Sequence, residues 1–121
     1  MKKKKITLIS RLQSLKYAYH GLKTVFSEEP NAKIHLAVAF LVTVAGIYFQ
    51  IAIQEWIALC LCIAFVITME LLNTSIEHLA DAASPTWHPL VKKAKDIAAA
   101  AVLVSATAAI LIGLAIFIPK I

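Results

Sequence analysis

The sequence has 121 residues, of which 60% are hydrophobic and 16% are charged, and its mean hydropathy is +0.80. Soluble domains are about half apolar and about a quarter charged, so this composition predicts one integral-membrane domain over residues 1–121. It excludes a disordered chain and a disulfide-stapled secreted module. The three glycines are isolated from one another, which excludes the Gly-rich phosphate loops of the P-loop and kinase folds.

The net charge of +5 is carried by basic residues that flank apolar segments. Anionic lipid headgroups attract such residues at a membrane surface. We therefore expect a membrane partner and no nucleic-acid partner.

The first predicted element is an amphipathic surface helix over residues 6–28. Its apolar residues recur at helical spacing on one stripe, and basic residues such as Arg11 flank that stripe. Such a helix lies on the membrane, with its apolar side in the interface and its charges near lipid phosphates. A plain membrane anchor with no further role fits the same pattern.

Three predicted transmembrane helices follow, at residues 34–53, 56–76 and 97–119. They contain 20, 21 and 23 residues, enough to cross about 30 Å of hydrocarbon, and Glu70 is the only Asp, Glu, Lys or Arg within them. Tyr48, Phe49 and Trp56 flank the turn between the first two spans and are expected to form an aromatic belt at that interface. The predicted fold class is all-α.

The basic residues predict the orientation of these spans. Eleven of the twelve Lys and Arg residues precede residue 34 or lie in the predicted loop 84–95, and only Lys120 lies at the opposite membrane face. The positive-inside rule therefore places the N-terminus in the cytoplasm and the C-terminus outside.

A row of polar residues marks the second span and its continuation. Glu70, Asn73, Glu77 and Asp81 occupy positions i, i+3, i+7 and i+11. On one helix they fall within an arc of about 80° and climb about 16 Å, so they form a polar ladder from within the membrane to its surface. Ionisable groups at such depth are costly and usually functional.

Further charged residues are expected at the same membrane face. Glu29 lies shortly before the first span, and Lys95 and Asp96 lie shortly before the third. Carboxylates suit Mg²⁺, a lysine can hold a phosphate, and a carboxylate in a dry environment has the proton affinity of a general base. This combination indicates phosphoryl transfer from a nucleotide.

The depth of Glu70 indicates the class of acceptor. It lies about 9 Å below the membrane boundary, at 1.5 Å per residue, a level that a lipid hydroxyl naturally visits. Two alternatives remain open: the ladder could serve helix assembly alone, or it could be the relay of a non-enzymatic ion- or proton-pathway subunit.

A row of small residues on the third span favours close helix contact, either between subunits or within one. Ala101, Ser105, Ala109 and Gly113 lie at i, i+4, i+8 and i+12. Three spans alone do not enclose a polar ladder, which also favours an oligomer.

Three motifs give the sequence a specific resemblance. They are Glu70-x-x-Asn73-x-x-x-Glu77-x-x-x-Asp81, Ala94-Lys95-Asp96 before an Ala-rich helix, and Tyr17-x-x-x-Gly21-Leu22 with Glu29 shortly before the first span. With these motifs the chain resembles the small prokaryotic diacylglycerol kinases and undecaprenol kinases over nearly its whole length.

The resemblance implies an integral-membrane enzyme that transfers the γ-phosphate of MgATP to the hydroxyl of a membrane lipid. Diacylglycerol would give phosphatidic acid, and undecaprenol would give undecaprenyl phosphate. It also implies a homotrimer in the bacterial cytoplasmic membrane, with active sites shared between neighbouring subunits.

The resemblance assigns a role to each matched residue. Glu70 would be the catalytic base, supported by Asn73, and Glu29 and Glu77 would bind Mg²⁺. The nucleotide would contact Tyr17, Thr86, Trp87, His88, Lys95 and Asp96.

Two further residues would support the site. Asp81 ends the polar ladder, and Arg11 is expected to replace the arginine that one branch of the family carries at the position of Ser10. The segment from residue 84 to 90 is more similar to the branch that phosphorylates undecaprenol. For Trp87 and His88, an interfacial anchor and a loop hydrogen-bond donor are alternative roles.

Overall fold

A computed structural model describes residues 6–121 of the chain as an all-helical protein. The helices are α1 (Leu8–Glu28), α2 (Pro30–Tyr48), α3 (Ile53–Ala83) and α4 (Pro89–Phe117), and a 3₁₀ turn follows at Ile118–Lys120. The described residues contain no strand, so the predicted all-α fold class is confirmed. Lys2–Lys5, which contribute to the predicted orientation, lie outside the described residues.

Three of the helices are long and apolar enough to cross a membrane, as predicted. They are Pro30–Tyr48, Ile53–Ala83 and Pro89–Lys120. Each begins before its predicted span, and α3 also continues past Ile76 to Ala83. The whole polar ladder therefore lies on one continuous helix.

The start of α4 differs from the prediction. Residues 89–95, predicted as part of a loop over 84–95, are helical, and the connection shortens to residues 84–88. Pro89 occupies the first turn, where its fixed φ suits a helix, and Nδ1 of His88 accepts a hydrogen bond from the Leu90 N–H at 3.1 Å. Lys92, Lys95 and Asp96 are thus held on a helix.

The α1 helix joins α2 through a single extended residue. Thr7 and Ser10 form a reciprocal capping box at the start of α1. At its end Glu29 is extended, with φ −100° and ψ 114°, and Pro30 opens α2 directly behind it. This sharp junction places the end of α1 against α2 and α3.

The connection between α2 and α3 is a tight turn in which Gln50 adopts the left-handed conformation, with φ 49°. Gly46 is buried there against the indole of Trp56: a Cβ at Gly46 would lie 2.6 Å from the ring atom Cη2 of Trp56. Phe49 and Trp56, predicted to lie in an aromatic belt, instead pack inward against a small core that includes Leu59.

The α3 and α4 helices form an antiparallel hairpin with the most extensive packing in the chain. Near one end, Nζ of Lys120 lies 2.7 Å from Oε2 of Glu55. In the middle, Ser105 is fully buried and its Oγ donates to the Val102 carbonyl at 2.8 Å. Gly113, from the same small-residue row, has open space where a Cβ would stand, so this row is only partly used within the chain.

Candidate functional site

The carboxylate of Glu70 lies in a crevice where α1, α2 and α3 meet. The residue is only 3% exposed. The crevice has no room for a water molecule, and its lining residues are Val25, Phe26, Ala32, His35, Ile67 and Glu70. An ionisable group thus lies in dry, largely apolar surroundings, which is the environment that the sequence predicts for a general base.

One polar side chain from the neighbouring helix reaches this carboxylate. Nε2 of His35 on α2 lies 3.2 Å from Oε1 of Glu70, which is within ion-pair distance. The ring N–H does not point along that line, so Oε1 is buried with no hydrogen-bond partner in the described structure. Oε1 of Glu70 is therefore an acceptor that no described residue uses.

The next step of the ladder contains two more unused oxygens. Nδ2 of Asn73 lies 3.4 Å from Oε1 of Glu77, a long hydrogen bond that brings these two predicted residues together. Oδ1 of Asn73 and Oγ1 of the adjacent Thr74 are buried without a hydrogen-bond partner in residues 6–121. Such oxygens are suitable ligands for a hard cation or for the waters around it.

The surface end of the ladder contacts α4 through an ion pair. Nζ of Lys95 lies 2.6 Å from Oδ1 of Asp81. Asp96, one position further along, pairs with Lys92 through both carboxylate oxygens, at 2.7 and 2.6 Å. The predicted nucleotide-binding pair Lys95 and Asp96 thus lies on the first turns of α4, beside the ladder.

The predicted adenosine-binding segment is the connection that precedes α4. Oγ of Ser84 donates to the Thr86 carbonyl at 2.8 Å, and Trp87 is 77% exposed. The ring of His88 caps α4, since its Nδ1 accepts the hydrogen bond from the Leu90 N–H.

Two predicted residues lie on α1, away from the buried crevice. The side chain of Tyr17 is 62% exposed, and Arg11 is exposed one and a half turns earlier in the helix. Neither residue lines the Glu70 crevice, to which α1 contributes Val25 and Phe26 near its C-terminal end.

The two predicted metal ligands lie at the same level of neighbouring helices. The Gly46–Trp56 and His35–Glu70 contacts show that α2 and α3 run antiparallel. From the second contact, Glu29 and Glu77 are displaced in the same direction by six and seven residues, about 9 and 10 Å along the helices. No three His, Cys, Asp or Glu side chains between residues 6 and 121 cluster closely enough to hold a metal on their own.

A long apolar groove of about 480 Å³ runs between α2, α3 and α4. His35 and Ile67 line both this groove and the Glu70 crevice. The remaining groove residues include Val38, Leu59 and Gly113, and nearly all of the lining is apolar. An apolar groove therefore borders the crevice that contains Glu70, the innermost residue of the polar ladder.

Sequence reasoning missed two members of this site. His35 was overlooked because it lies in an apolar segment, although a titratable side chain in a predicted span is itself a signal of function. Thr74 was overlooked because a hydroxyl beside the ladder is unremarkable in sequence, and only its burial distinguishes it.

The chain matches a known protein family over most of its length. Residues 16–117 match the prokaryotic diacylglycerol kinase family. The chain is 41% identical over 108 residues to the undecaprenol kinase of Bacillus subtilis (strain 168), covering 89% of this chain and 88% of that protein.

Two further relatives are named diacylglycerol kinase. The chain is 34% identical over 109 residues to a diacylglycerol kinase of Synechocystis, covering 89% of this chain and 62% of that protein. It is 36% identical over 92 residues to a diacylglycerol kinase of Helicobacter pylori (strain ATCC 700392 / 26695), covering 76% and 72% of the two chains. The chain therefore belongs to the prokaryotic diacylglycerol kinase family of lipid kinases and, with its three apolar helices, is an integral-membrane protein.

Proposed function

We propose that this protein transfers the γ-phosphate of ATP to the hydroxyl of a membrane lipid, either undecaprenol or diacylglycerol. The observation that carries the proposal is the Glu70 carboxylate, which is 3% exposed in a largely apolar crevice and whose Oε1 has no hydrogen-bond partner among the described residues. A buried acceptor without a partner is costly for folding alone, and it suits a group that receives a proton from a substrate.

The position of Glu70 supports a lipid acceptor. The apolar groove meets the Glu70 crevice at His35 and Ile67, so a lipid chain in that groove would bring its hydroxyl near the carboxylate. The Asp81–Lys95 pair lies eleven residues along α3, about 16 Å away, at the exposed end of the ladder. Lipid and nucleotide would thus approach the ladder from opposite ends.

In the proposed reaction the lipid hydroxyl oxygen attacks the γ-phosphorus of ATP. Its proton passes to the carboxylate of Glu70, and the bond from the γ-phosphorus to the oxygen that bridges to the β-phosphate breaks, which releases ADP. Lys95, at the exposed end of the ladder, would stabilise the negative charge that develops on the departing ADP, and Asn73 would support the base.

The oxygens near Glu77 fit a magnesium ion. The buried Oδ1 of Asn73 has no hydrogen-bond partner among the described residues and lies on the side chain that contacts Glu77, and Glu29 is the residue directly before α2. Mg²⁺ binds oxygen ligands only and usually takes one or two carboxylates, leaving other positions for water and phosphate. Glu29 and Glu77 would hold it, and when bound it would neutralise charge on the ATP phosphates.

Residues from the loop and from α1 would complete the nucleotide site. Thr86, Trp87 and His88 precede Lys95 by seven to nine residues and Asp96 follows it directly, and the exposed Trp87 indole would stack on a base. Tyr17 and Arg11 project from α1 and are also exposed. Exposed aromatic and basic groups in both places support sites that are shared between subunits.

A homotrimer in the bacterial cytoplasmic membrane is the proposed assembly. The α2 helix has much less packing within the chain than the α3–α4 hairpin has, so much of its surface is open to other subunits. The lysines at positions 33, 92, 93 and 95 lie at the opposite end of the helices from Lys120. By the positive-inside rule this arrangement supports a cytoplasmic N-terminus and an external C-terminus.

The proposal is tested by phosphate transfer from radiolabelled ATP. Purified protein in mixed micelles receives undecaprenol or diacylglycerol separately, with Glu70→Gln as the control. We expect labelled lipid with the wild type and at least about 100-fold slower labelling with the variant. Undecaprenol is the first acceptor to test, because the loop at residues 84–90 resembles that branch and the relative with 41% identity has that name. Folded wild-type protein that labels neither lipid would contradict the proposal.

A further inference from the structure

His35 is a polar residue in an otherwise apolar stretch of α2, and its side chain faces the Glu70 carboxylate. Nε2 lies 3.2 Å from Oε1, and the two side chains are 23% and 4% exposed. Val25, Phe26, Ala32 and Ile67, which line the rest of the crevice, are all apolar. Among the described side chains that line this crevice, His35 therefore carries the only N–H that can reach Glu70.

The chemistry of the two groups fixes the direction of their interaction. An ionised carboxylate accepts hydrogen bonds and donates none, so the proton of a neutral His35 ring must lie on Nε2 when the two interact. The observed contact lacks hydrogen-bond geometry, although its N···O separation of 3.2 Å is at the long end of the hydrogen-bond range. Catalytic hydrogen bonds often tighten when substrate binds.

A carboxylate base must present one oxygen to the substrate hydroxyl while its orientation is held by another contact, so with His35 on Oε1 the proton of the hydroxyl would pass to Oε2. Buried charge without any donor is strongly unfavourable, and a single hydrogen bond to a charged group is worth a large factor in an equilibrium or a rate. His35 borders the apolar groove as well as the crevice. It is therefore placed to hold Glu70 at the point where a lipid hydroxyl would arrive.

We propose that His35 is a positioning residue that orients the Glu70 carboxylate through its Nε2–H during phosphoryl transfer. It forms no bond to the lipid or to ATP and exchanges no proton with them. This inference rests on the proposed role of Glu70 as the base. It goes beyond that role because it assigns a function to a residue outside the polar ladder.

The test compares steady-state kinetics of His35→Leu and His35→Gln with the wild type, using whichever lipid the wild type phosphorylates. Leucine keeps apolar volume but removes the donor, and the glutamine amide carries an N–H that can reach the same oxygen. We expect kcat to fall about 10- to 100-fold in His35→Leu with little change in either KM, and His35→Gln to recover most of it. Leu36→Ala, at an exposed neighbouring position of α2, serves as the control with unchanged kcat.

A purely structural role for His35 predicts a different pattern. The leucine variant would then keep its kcat, or the glutamine and leucine variants would lose activity equally, and either result overturns the inference. If His35→Leu does not fold, His35→Asn takes its place, because the asparagine amide is one methylene shorter than that of glutamine. Equal kcat values for His35→Asn and His35→Gln would then overturn the inference. A wild type that labels no lipid would instead contradict the proposed function itself.

Discussion

Nζ of Lys95 on α4 lies 2.6 Å from Oδ1 of Asp81 on α3, and this contact places the proposed phosphate-binding cation at the exposed end of the polar ladder. Both side chains are at least one third exposed, so the pair contributes little to folding stability. The ion pair instead positions the Lys95 amine. We expect the phosphates of ATP to compete with Asp81 for that amine.

Replacing Lys95 by methionine removes that amine but keeps most of the aliphatic stem. We expect the KM for ATP to rise at least about tenfold, since a charged hydrogen bond to phosphate is lost. The measurement is a titration of initial rate with MgATP at saturating lipid. Lys93→Met, at an exposed position on the same turns of α4, is the matched control. If the two variants raise the KM equally, Lys95 has no specific contact with ATP and contributes only positive charge.

Replacing Glu70 by glutamine removes the proposed base with almost no change in shape. Turnover is expected to fall about 100- to 10,000-fold, the range that general base catalysis supplies. MgATP binding should persist, because the proposed nucleotide residues lie at the other end of the ladder. Thermal unfolding with and without MgATP measures that binding separately from turnover. Near-normal turnover by the folded variant would exclude Glu70 as the base.

Replacing Glu77 or Glu29 by glutamine should raise the Mg²⁺ concentration needed for half-maximal activity. Each substitution removes one anionic ligand from a site that takes only one or two carboxylates. Glu28→Gln is the control, since Glu28 is an exposed carboxylate directly before Glu29. If the Mg²⁺ titrations of Glu28→Gln and Glu29→Gln coincide, Glu29 is not a ligand of the metal.

Replacing Gly46 by alanine tests the turn between α2 and α3. The new Cβ would lie 2.6 Å from the Trp56 ring, so the ring or the backbone must shift. We expect the free energy of unfolding in detergent to fall by about 1–3 kcal/mol, as in other overpacked sites. Gly21→Ala is the matched control, because a Cβ there meets nothing within 4 Å and alanine favours a helix by up to about 1 kcal/mol.

Much of the architecture follows from pattern alone. The apolar segments predict three spans because a bilayer of fixed thickness demands about 20 apolar residues per crossing. The spacing of Glu70, Asn73, Glu77 and Asp81 predicts one helix, and α3 does carry all four. The start of α4 was placed too late because Lys92, Lys93 and Lys95 suggest a polar loop, whereas the His88 cap and Pro89 begin a helix there.

Contacts between helices were not predictable in the same way. The pairing of His35 with Glu70 depends on how α2 crosses α3, and no local pattern specifies that crossing. The inward packing of Trp56 likewise depends on the absence of a side chain at Gly46, ten residues earlier. An aromatic residue near the end of a predicted membrane span can lie either at the membrane interface or in the protein core, and the packing of the helices determines which.

The Glu55–Lys120 and Asp81–Lys95 ion pairs lie near the two ends of the α3–α4 hairpin. Apolar helix surfaces can slide along each other by one turn with little change in the kind of contact they make, whereas charged pairs have partners at fixed heights. A slip of one turn, about 5.4 Å, would break both pairs together. Both charged contacts are therefore made only in the observed register of α3 against α4, so one alignment fixes the height of Lys95 relative to Asp81 and the height of Lys120 relative to Glu55.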